Sequence, residues 1–374
     1  MAKAPAILTE VLSTQCGRGI GVLTLNVPKA MNAVDLDMVN AIDEHMKAWQ
    51  DDANIVAVIM RGAGEKAFCA GGDIRKLYRS MTLKGRTQYR YADDFFRAEY
   101  RKNYVLHQFT KPLIAWGQGF VMGGGLGLFV CASHRIGTES LRLAWPEVRI
   151  GLFPDVTATW YLSHMPAPWG LWMGLTGSLM NASECKQLGL THYAMGSEQW
   201  QGILELVTNL PWQDNIARNH QELRKGLQQL EQTTTSELPA ARLEANEEQV
   251  NKWLEGDDLV AIAKRMSAYK GGDEWLQQGI KNLQQGCPAT AHIAMEQIRR
   301  GGFMSLKEVV AWELDIAWQS VRHPDFAEGV RAMVIDKDFK PQWQHKDIQS
   351  VPRSWVEELL RSPWKVNEHP YVDI

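Results

Sequence analysis

The chain has 374 residues, of which 45% are hydrophobic and 22% charged, and its formal net charge is −3. That length implies one large domain with additions or two modest ones, with a core that needs no staples. The near-neutral balance excludes a global basic field that would recruit nucleic acid or an anionic membrane, and no apolar run reaches the roughly 18 residues of a membrane span.

In chain order, residues 6–27 read as two short strands around a turn at Cys16-Gly17-Arg18-Gly19, with a break at Pro28. The spacing of Leu36, Met38, Val39, Ile42 and Met46 predicts a helix over 35–50. Ile55-Val56-Ala57-Val58-Ile59-Met60 is a β-branched run of the kind found in buried strands. A first glycine loop follows it, Cys69-Ala70-Gly71-Gly72-Asp73, and residues 86–108 read as a long helix. Leu113-Ile114-Ala115-Trp116 is a second short buried strand. A second glycine loop comes after it, Gly119-Phe120-Val121-Met122-Gly123-Gly124-Gly125, and then an apolar helix from Leu126 to Ala132. Strand, loop and helix in repeated order favour an α/β core with crossover helices. Gln228 to Glu237 is polar and of low complexity, expected to be an exposed connection. Leu243 to Leu259 reads as one acidic helix with a solvated face, and 288–323 as helical throughout.

The five cysteines, Cys16, Cys69, Cys131, Cys185 and Cys287, are odd in number and form no CxxC pair. They read as reduced thiols in a reducing compartment. Met1-Ala2-Lys3-Ala4-Pro5 runs almost directly into an apolar segment without signal or transit composition, so a cytoplasmic protein is expected.

Several motifs fail. Gly117-Gln118-Gly119 would need its third glycine at Met122, so the dinucleotide fingerprint is absent. There is no phosphate loop, no HExxH zinc helix and no GxSxG nucleophile elbow. His107, His134 and His292 stand outside any metal-ligand spacing and read as structural. No metal site and no basic-aromatic nucleic-acid surface is expected.

The two glycine loops survive. Gly124 could present its N–H at a helix start, where the dipole favours negative charge, or the glycines could simply allow close packing. Gly72 can supply a second N–H. Asp73 reads first as the N-cap of the next helix, and Arg75 and Lys76 as either phosphate contacts or solvated charges. Glu147 follows Pro146 in a turn-like segment, which alone would read as a surface residue.

The first loop, taken as Lys66-Ala67-Phe68-Cys69-Ala70-Gly71-Gly72-Asp73-Ile74, together with the second resembles the enoyl-CoA hydratase/isomerase (crotonase) superfamily. Leu25-Asn26-Val27-Pro28-Lys29-Ala30-Met31-Asn32-Ala33 adds to the match. Within it the chain is most similar to the 3-hydroxyisobutyryl-CoA hydrolase branch. Phe95-Phe96-Arg97-Ala98-Glu99-Tyr100, Pro146-Glu147, Ile150-Gly151-Leu152-Phe153-Pro154-Asp155, and a C-terminal stretch from Asp325 to Trp343 carry that likeness.

The resemblance implies an α/β fold, a ββα spiral core with a mainly helical C-terminal region. It divides the chain into an acyl-CoA-binding core over 1–200, a helical connection over 201–285 and a completing helical region over 286–374. It implies Gly72 and Gly124 as oxyanion donors, Glu147 and Asp155 as the catalytic pair, Glu99 as a substrate contact, and Lys29 and Ala30 beside the CoA. It calls for no cofactor, since CoA is part of substrate and product, and allows a homo-oligomer. Hydratases of the superfamily carry one glutamate just after the second loop and another twenty positions on. Here Gly127 holds the first position and Glu147 the second, which speaks against hydration. The resemblance thus implies an acyl-CoA thioester hydrolase, acting on 3-hydroxyisobutyryl-CoA in valine degradation. The alternatives are an enoyl-CoA hydratase or isomerase and a non-catalytic acyl-CoA-binding protein.

Overall fold

Residues 4–374 are described by a computed structural model; of the N-terminal stretch read for targeting, Met1-Ala2-Lys3 lies outside them. The chain divides into two compact units, each assembled from separate stretches. The first takes the residues up to Gly72, Lys102–Leu143 and Met180–Ala241. The second takes Asp73–Arg101, Ala144–Leu179 and Arg242–Ile374.

The strands are β1 (Ile7–Ser13), β2 (Gly19–Leu25), β3 (Ile55–Gly62), β4 (Ala67–Cys69), β5 (Leu113–Gly117), β6 (Phe120–Met122), β7 (His134–Thr138), β8 (Arg142–Ala144) and β9 (Tyr193–Met195). The main sheet runs β1-β2-β3-β5-β7-β9, and a small one runs β4-β6-β8. β1 and β2 form an antiparallel hairpin, with Ile7 opposite Leu25 and Ser13 opposite Gly19. The remaining pairs of the main sheet are parallel, with Val58 opposite Leu113, Ile114 opposite His134 and Ile136 opposite Tyr193. Parallel strands are covered on both faces, and the β-branched run read at 55–60 accordingly has every residue buried. The helices Trp200–Asn209 and Ile216–Gln232 pack Ile203, Val207, Leu223 and Leu227 onto Ile20, Val22, Ile59 and Ile136.

The second unit is built mainly from helices. Asp73 caps Ile74–Thr82, its carboxylate accepting from the N–H groups of Arg75 (3.2 Å) and Lys76 (3.3 Å). The long helix expected over 86–108 is Arg90–His107, whose residues up to Arg101 belong to this unit. Its C-terminal part comprises Leu243–Leu254, Leu259–Ser267, Glu274–Gln285, Pro288–Gly301, Leu306–Arg322, Pro324–Val330 and Arg353–Leu359.

In the C-terminal half three helical boundaries differ from the sequence expectations. The polar stretch at 228–237 is helical through Gln232, because Leu223 and Leu227 anchor that helix to the core; the connection starts only at Thr233. The acidic helix expected to reach Leu259 ends at Leu254, since Asp258 starts a new one by accepting from the N–H groups of Val260 and Ala261. The stretch 288–323 breaks after Gly301, and a capping box between Ser305 and Glu308 restarts it.

Candidate active site

In the first unit the two glycine loops come together. β4 delivers Cys69 into Ala70-Gly71-Gly72, and β6 delivers Met122 into Gly123, which caps the helix Gly124–Val130. That helix starts two residues earlier than the apolar pattern suggested, so Gly124 is its first residue. A Cβ on Gly125 would stand 2.2 Å from the Cys69 carbonyl oxygen, so only glycine allows this approach. A Cβ on Gly71 would lie 3.9 Å from the Gly124 nitrogen.

The backbone bonds of the loops are taken up around the two donors. Val34 N–H donates to the Gly71 carbonyl (2.9 Å), and Leu126 and Gly127 N–H donate to the Gly123 carbonyl (2.7 and 3.0 Å). The N–H groups of Gly72 and Gly124 donate to no protein acceptor among the described residues. Lys29 and Ala30 sit in an exposed 3-10 turn, Pro28–Ala30. Buried Asn32 fixes that turn: its Oδ1 accepts from Val27 N–H (2.9 Å), and its Nδ2 donates to the carbonyls of Ala63 (3.0 Å) and Ala67 (2.9 Å). Ala70 N–H reaches the Met31 carbonyl (3.0 Å), which ties the turn to the first loop.

The second unit holds the carboxylates. Glu147 opens a 3-10 turn, Glu147–Ile150, closed by Gly151 in the left-handed region at φ 72°. A Cβ on Gly151 would lie 2.3 Å from the Asp325 carbonyl oxygen, and one on Gly329 would lie 2.2 Å from that of Ile150. The helix Pro324–Val330 therefore lies directly against this turn, and Cys287 N–H bonds the Val148 carbonyl (2.8 Å) from another side. This accounts for the C-terminal motif: it buttresses the Glu147 turn.

Asp155 accepts a hydrogen bond from Tyr100 Oη at 2.7 Å. Burial pushes the Asp155 carboxyl up to about 7. Burial, reinforced by the charge of Asp155, holds Glu147 well above the ordinary carboxylate range, with Glu99 and Glu313 adding to the effect. Tyr100 is raised too, first by burial and then by Asp155. Glu99, Tyr100, Glu147, Asp155 and Glu313 are all buried, and Glu147 Oε2 has no hydrogen-bond partner among the described residues. A carboxyl with a raised pKa next to a second carboxyl suits proton transfer near neutral pH.

Of the residues singled out from the sequence, the structure thus groups Glu99, Glu147 and Asp155 in one unit. It groups Gly72 and Gly124, with Lys29 and Ala30 on a turn tied to their loop, in the other. Sequence reasoning passed over Tyr100 and Glu313. Tyr100 stands beside Glu99 in the stretch that carried the resemblance. Glu313 lies among Val309, Val310, Leu314 and Ala317 on the buried stripe of its helix, and a lone acid on an apolar stripe was the signal available.

The enoyl-CoA hydratase/isomerase family matches residues 20–360, and the chain belongs to that family. Within it, the 3-hydroxyisobutyryl-CoA hydrolase, mitochondrial, of Xenopus laevis is 33% identical over 344 residues, 91% of this chain and 86% of that protein. The Homo sapiens protein of the same name is 32% identical over 98% of this chain and 91% of its own length. An enoyl-CoA hydratase structure from Rhodobacter sphaeroides 2.4.1 has a TM-score of 0.82 at 29% identity, covering 96% of this chain and 98% of that one. The fold is the α/β crotonase type with a helical C-terminal region, as expected.

The cytoplasmic location expected from the sequence does not stand, because the relatives spanning nearly the whole chain are named as mitochondrial proteins. The five cysteines form no disulfide, which suits any reducing compartment and so carries no information on which one. Among the described residues no helix is long and apolar enough to cross a membrane.

Proposed function

We propose that this protein hydrolyses a short 3-hydroxyacyl-CoA thioester, first of all 3-hydroxyisobutyryl-CoA, giving 3-hydroxyisobutyrate and CoA in valine breakdown. The relatives named for that reaction support the substrate. The observation that carries the choice of hydrolysis over hydration is position 127. There the helix Gly124–Val130 has a buried glycine, while Glu147 and Asp155 are both kept. Adding water across a double bond needs two acid/base groups, one of them at that position; cleaving a thioester does not.

In this reading the thioester oxygen accepts from Gly72 and Gly124 N–H as it becomes an oxyanion. Each such donor contributes about 3–4 kcal/mol to the transition state. A water attacks the carbonyl carbon as its proton passes to Glu147; the tetrahedral intermediate collapses, the C–S bond breaks, and the proton goes to the departing CoA thiolate. A variant route has Glu147 attack the carbonyl itself and expel CoA as the thiolate, giving an anhydride that water then opens to the free acid and Glu147, the water's proton going to the thiolate. Asp155, oriented by Tyr100, binds the 3-hydroxyl or shares the proton, and that hydroxyl is a source of specificity. Glu99 contacts the acyl group, and Lys29 and Ala30 border the CoA. No resident cofactor is assigned. We assign acyl-CoA binding to residues 1–200 and a connecting role to 201–285; 286–374 completes the site by bracing the Glu147 turn.

The test is free-thiol release from a panel of short 3-hydroxyacyl-CoA esters, 3-hydroxypropionyl-CoA included, alongside hydration of crotonyl-CoA. Thiol release from the 3-hydroxy esters without hydration is the expected result. Hydration without thiol release overturns the reading, and tight ester binding with no turnover would favour a non-catalytic binding protein.

A further inference from the structure

Asp155 is followed by two β-branched residues in the left-handed region, Val156 at φ 55° and Thr157 at φ 73°. Both are buried. Neither side chain favours that backbone, so the conformation persists only because its surroundings impose it. Thr157 is also the N-cap of the helix Ala158–His164, yet its own side chain caps nothing, its hydroxyl bonding the Val156 carbonyl instead.

The missing cap comes from a distant part of the sequence. Glu313, in the middle of Leu306–Arg322 and 0% exposed, accepts from Thr157 N–H with Oε2 (2.6 Å) and from Thr159 N–H with Oε1 (2.9 Å). Gln297, on Pro288–Gly301, grips the other side, its Nε2 donating to the Pro154 carbonyl (2.6 Å) and to Thr159 Oγ1 (2.7 Å). The backbone is thus clamped on both flanks of Asp155, by carboxylate on one side and amide on the other. A buried carboxylate is a costly way to cap a helix. Its two oxygens let this one side chain take both N–H groups at once.

We propose that Glu313 is a positioning residue: by accepting the Thr157 and Thr159 N–H groups it holds the left-handed turn that sets where the Asp155 carboxylate stands. This rests on the reading of Asp155 as a working member of the site. Glu313 touches backbone and not substrate, so its loss displaces Asp155 while the parts that bind CoA stay in place. A displacement of about 1 Å at a reacting group lowers the rate by about 100-fold.

The experiment measures kcat and KM of the full chain for 3-hydroxyisobutyryl-CoA in Glu313→Gln, Thr157→Gly, the double variant and Asp155→Asn. Glu313→Gln should lower kcat roughly 10–100-fold with KM changed less than about threefold. Glycine adopts positive φ without strain, so Thr157→Gly should reduce the need for the clamp. The double variant should therefore recover about fivefold or more of the kcat lost in Glu313→Gln. A purely structural role would lower stability without that rescue or that split between kcat and KM.

A folded Glu313→Gln with kcat within about twofold of wild type overturns the proposal, as does a double variant that merely multiplies the two single losses. Should Glu313→Gln fail to fold, Glu313→Asp carries the same test, since it keeps the carboxyl group and shortens the reach by one methylene. Full activity in Asp155→Asn would instead bring down the functional reading itself. An inactive Asp155→Asn beside an active Glu313→Gln removes only the positioning role.

Discussion

Replacing Asp155 by asparagine should make the protein more stable in alkaline solution while it loses turnover. Burial raises the Asp155 carboxyl from 3.8 to about 7. The native state therefore keeps this proton at pH values where the unfolded chain has released it, and stability falls as pH rises across that interval. The contribution is complete below the unfolded value of 3.8 and is lost as pH climbs through about 7. A gap of about 3 pH units corresponds to about 4 kcal/mol. Asparagine has no such term, but it meets Tyr100 with an amide in place of the acid, a loss of about 1 kcal/mol. Its advantage should thus grow from under about 1 kcal/mol at pH 5 to about 3 kcal/mol at pH 8.5. With an unfolding entropy of about 2.1 cal/mol/K per residue, that is a rise in Tm of about 4 °C for the whole chain. Thermal melts of both proteins at pH 5, 7 and 8.5 at one ionic strength measure it. A Tm difference that is constant across this range, or a mutant less stable than wild type at pH 8.5, would refute the reasoning.

Glu147→Gln should abolish thiol release while calorimetric binding of a CoA ester persists, because shape is kept and only the proton acceptor is lost; near wild-type hydrolysis would sink the assignment. Gly124→Pro removes one N–H at the first position of its helix, where proline is tolerated. A folded but inactive protein is expected, and an active one counts against the oxyanion donors. Gly125→Ala puts a methyl 2.2 Å from the Cys69 carbonyl oxygen; it should force the two loops apart and destabilise the protein by a few kcal/mol in denaturant melts.

The parts of the fold that show in the sequence are those whose local chemistry matches their place. The hairpin over 7–25, the buried run of β3 and the cap at Asp73 each carry their cause within a few residues. Where causes are remote, the sequence misleads. Nothing in the polar composition of 228–232 shows that Leu223 and Leu227 already commit that helix to a core. The same division runs through the candidate site. Gly72, Gly124, Glu147 and Asp155 stand in recognisable motifs. The contact of Tyr100 Oη with Asp155 bridges 55 positions, and that of Glu313 with Thr157 bridges 156. Spacing alone pairs no such partners.

The close fit of Gly151 against Asp325, and of Gly329 against Ile150, also dictates when the Glu147 turn can exist. The two contacting segments lie about 170 positions apart. At synthesis rates of about 5–20 residues per second, roughly 10–35 s pass after Gly151 is made before its partner is even polymerised. Through that interval a nascent chain can pair β1, β2 and β3 and bring its glycine loops together, yet the carboxylate turn has nothing to close on. Competence for chemistry is therefore among the last properties the growing chain acquires, and a chain that stops between Met195 and Pro324 has every strand of its main sheet but never finishes the turn.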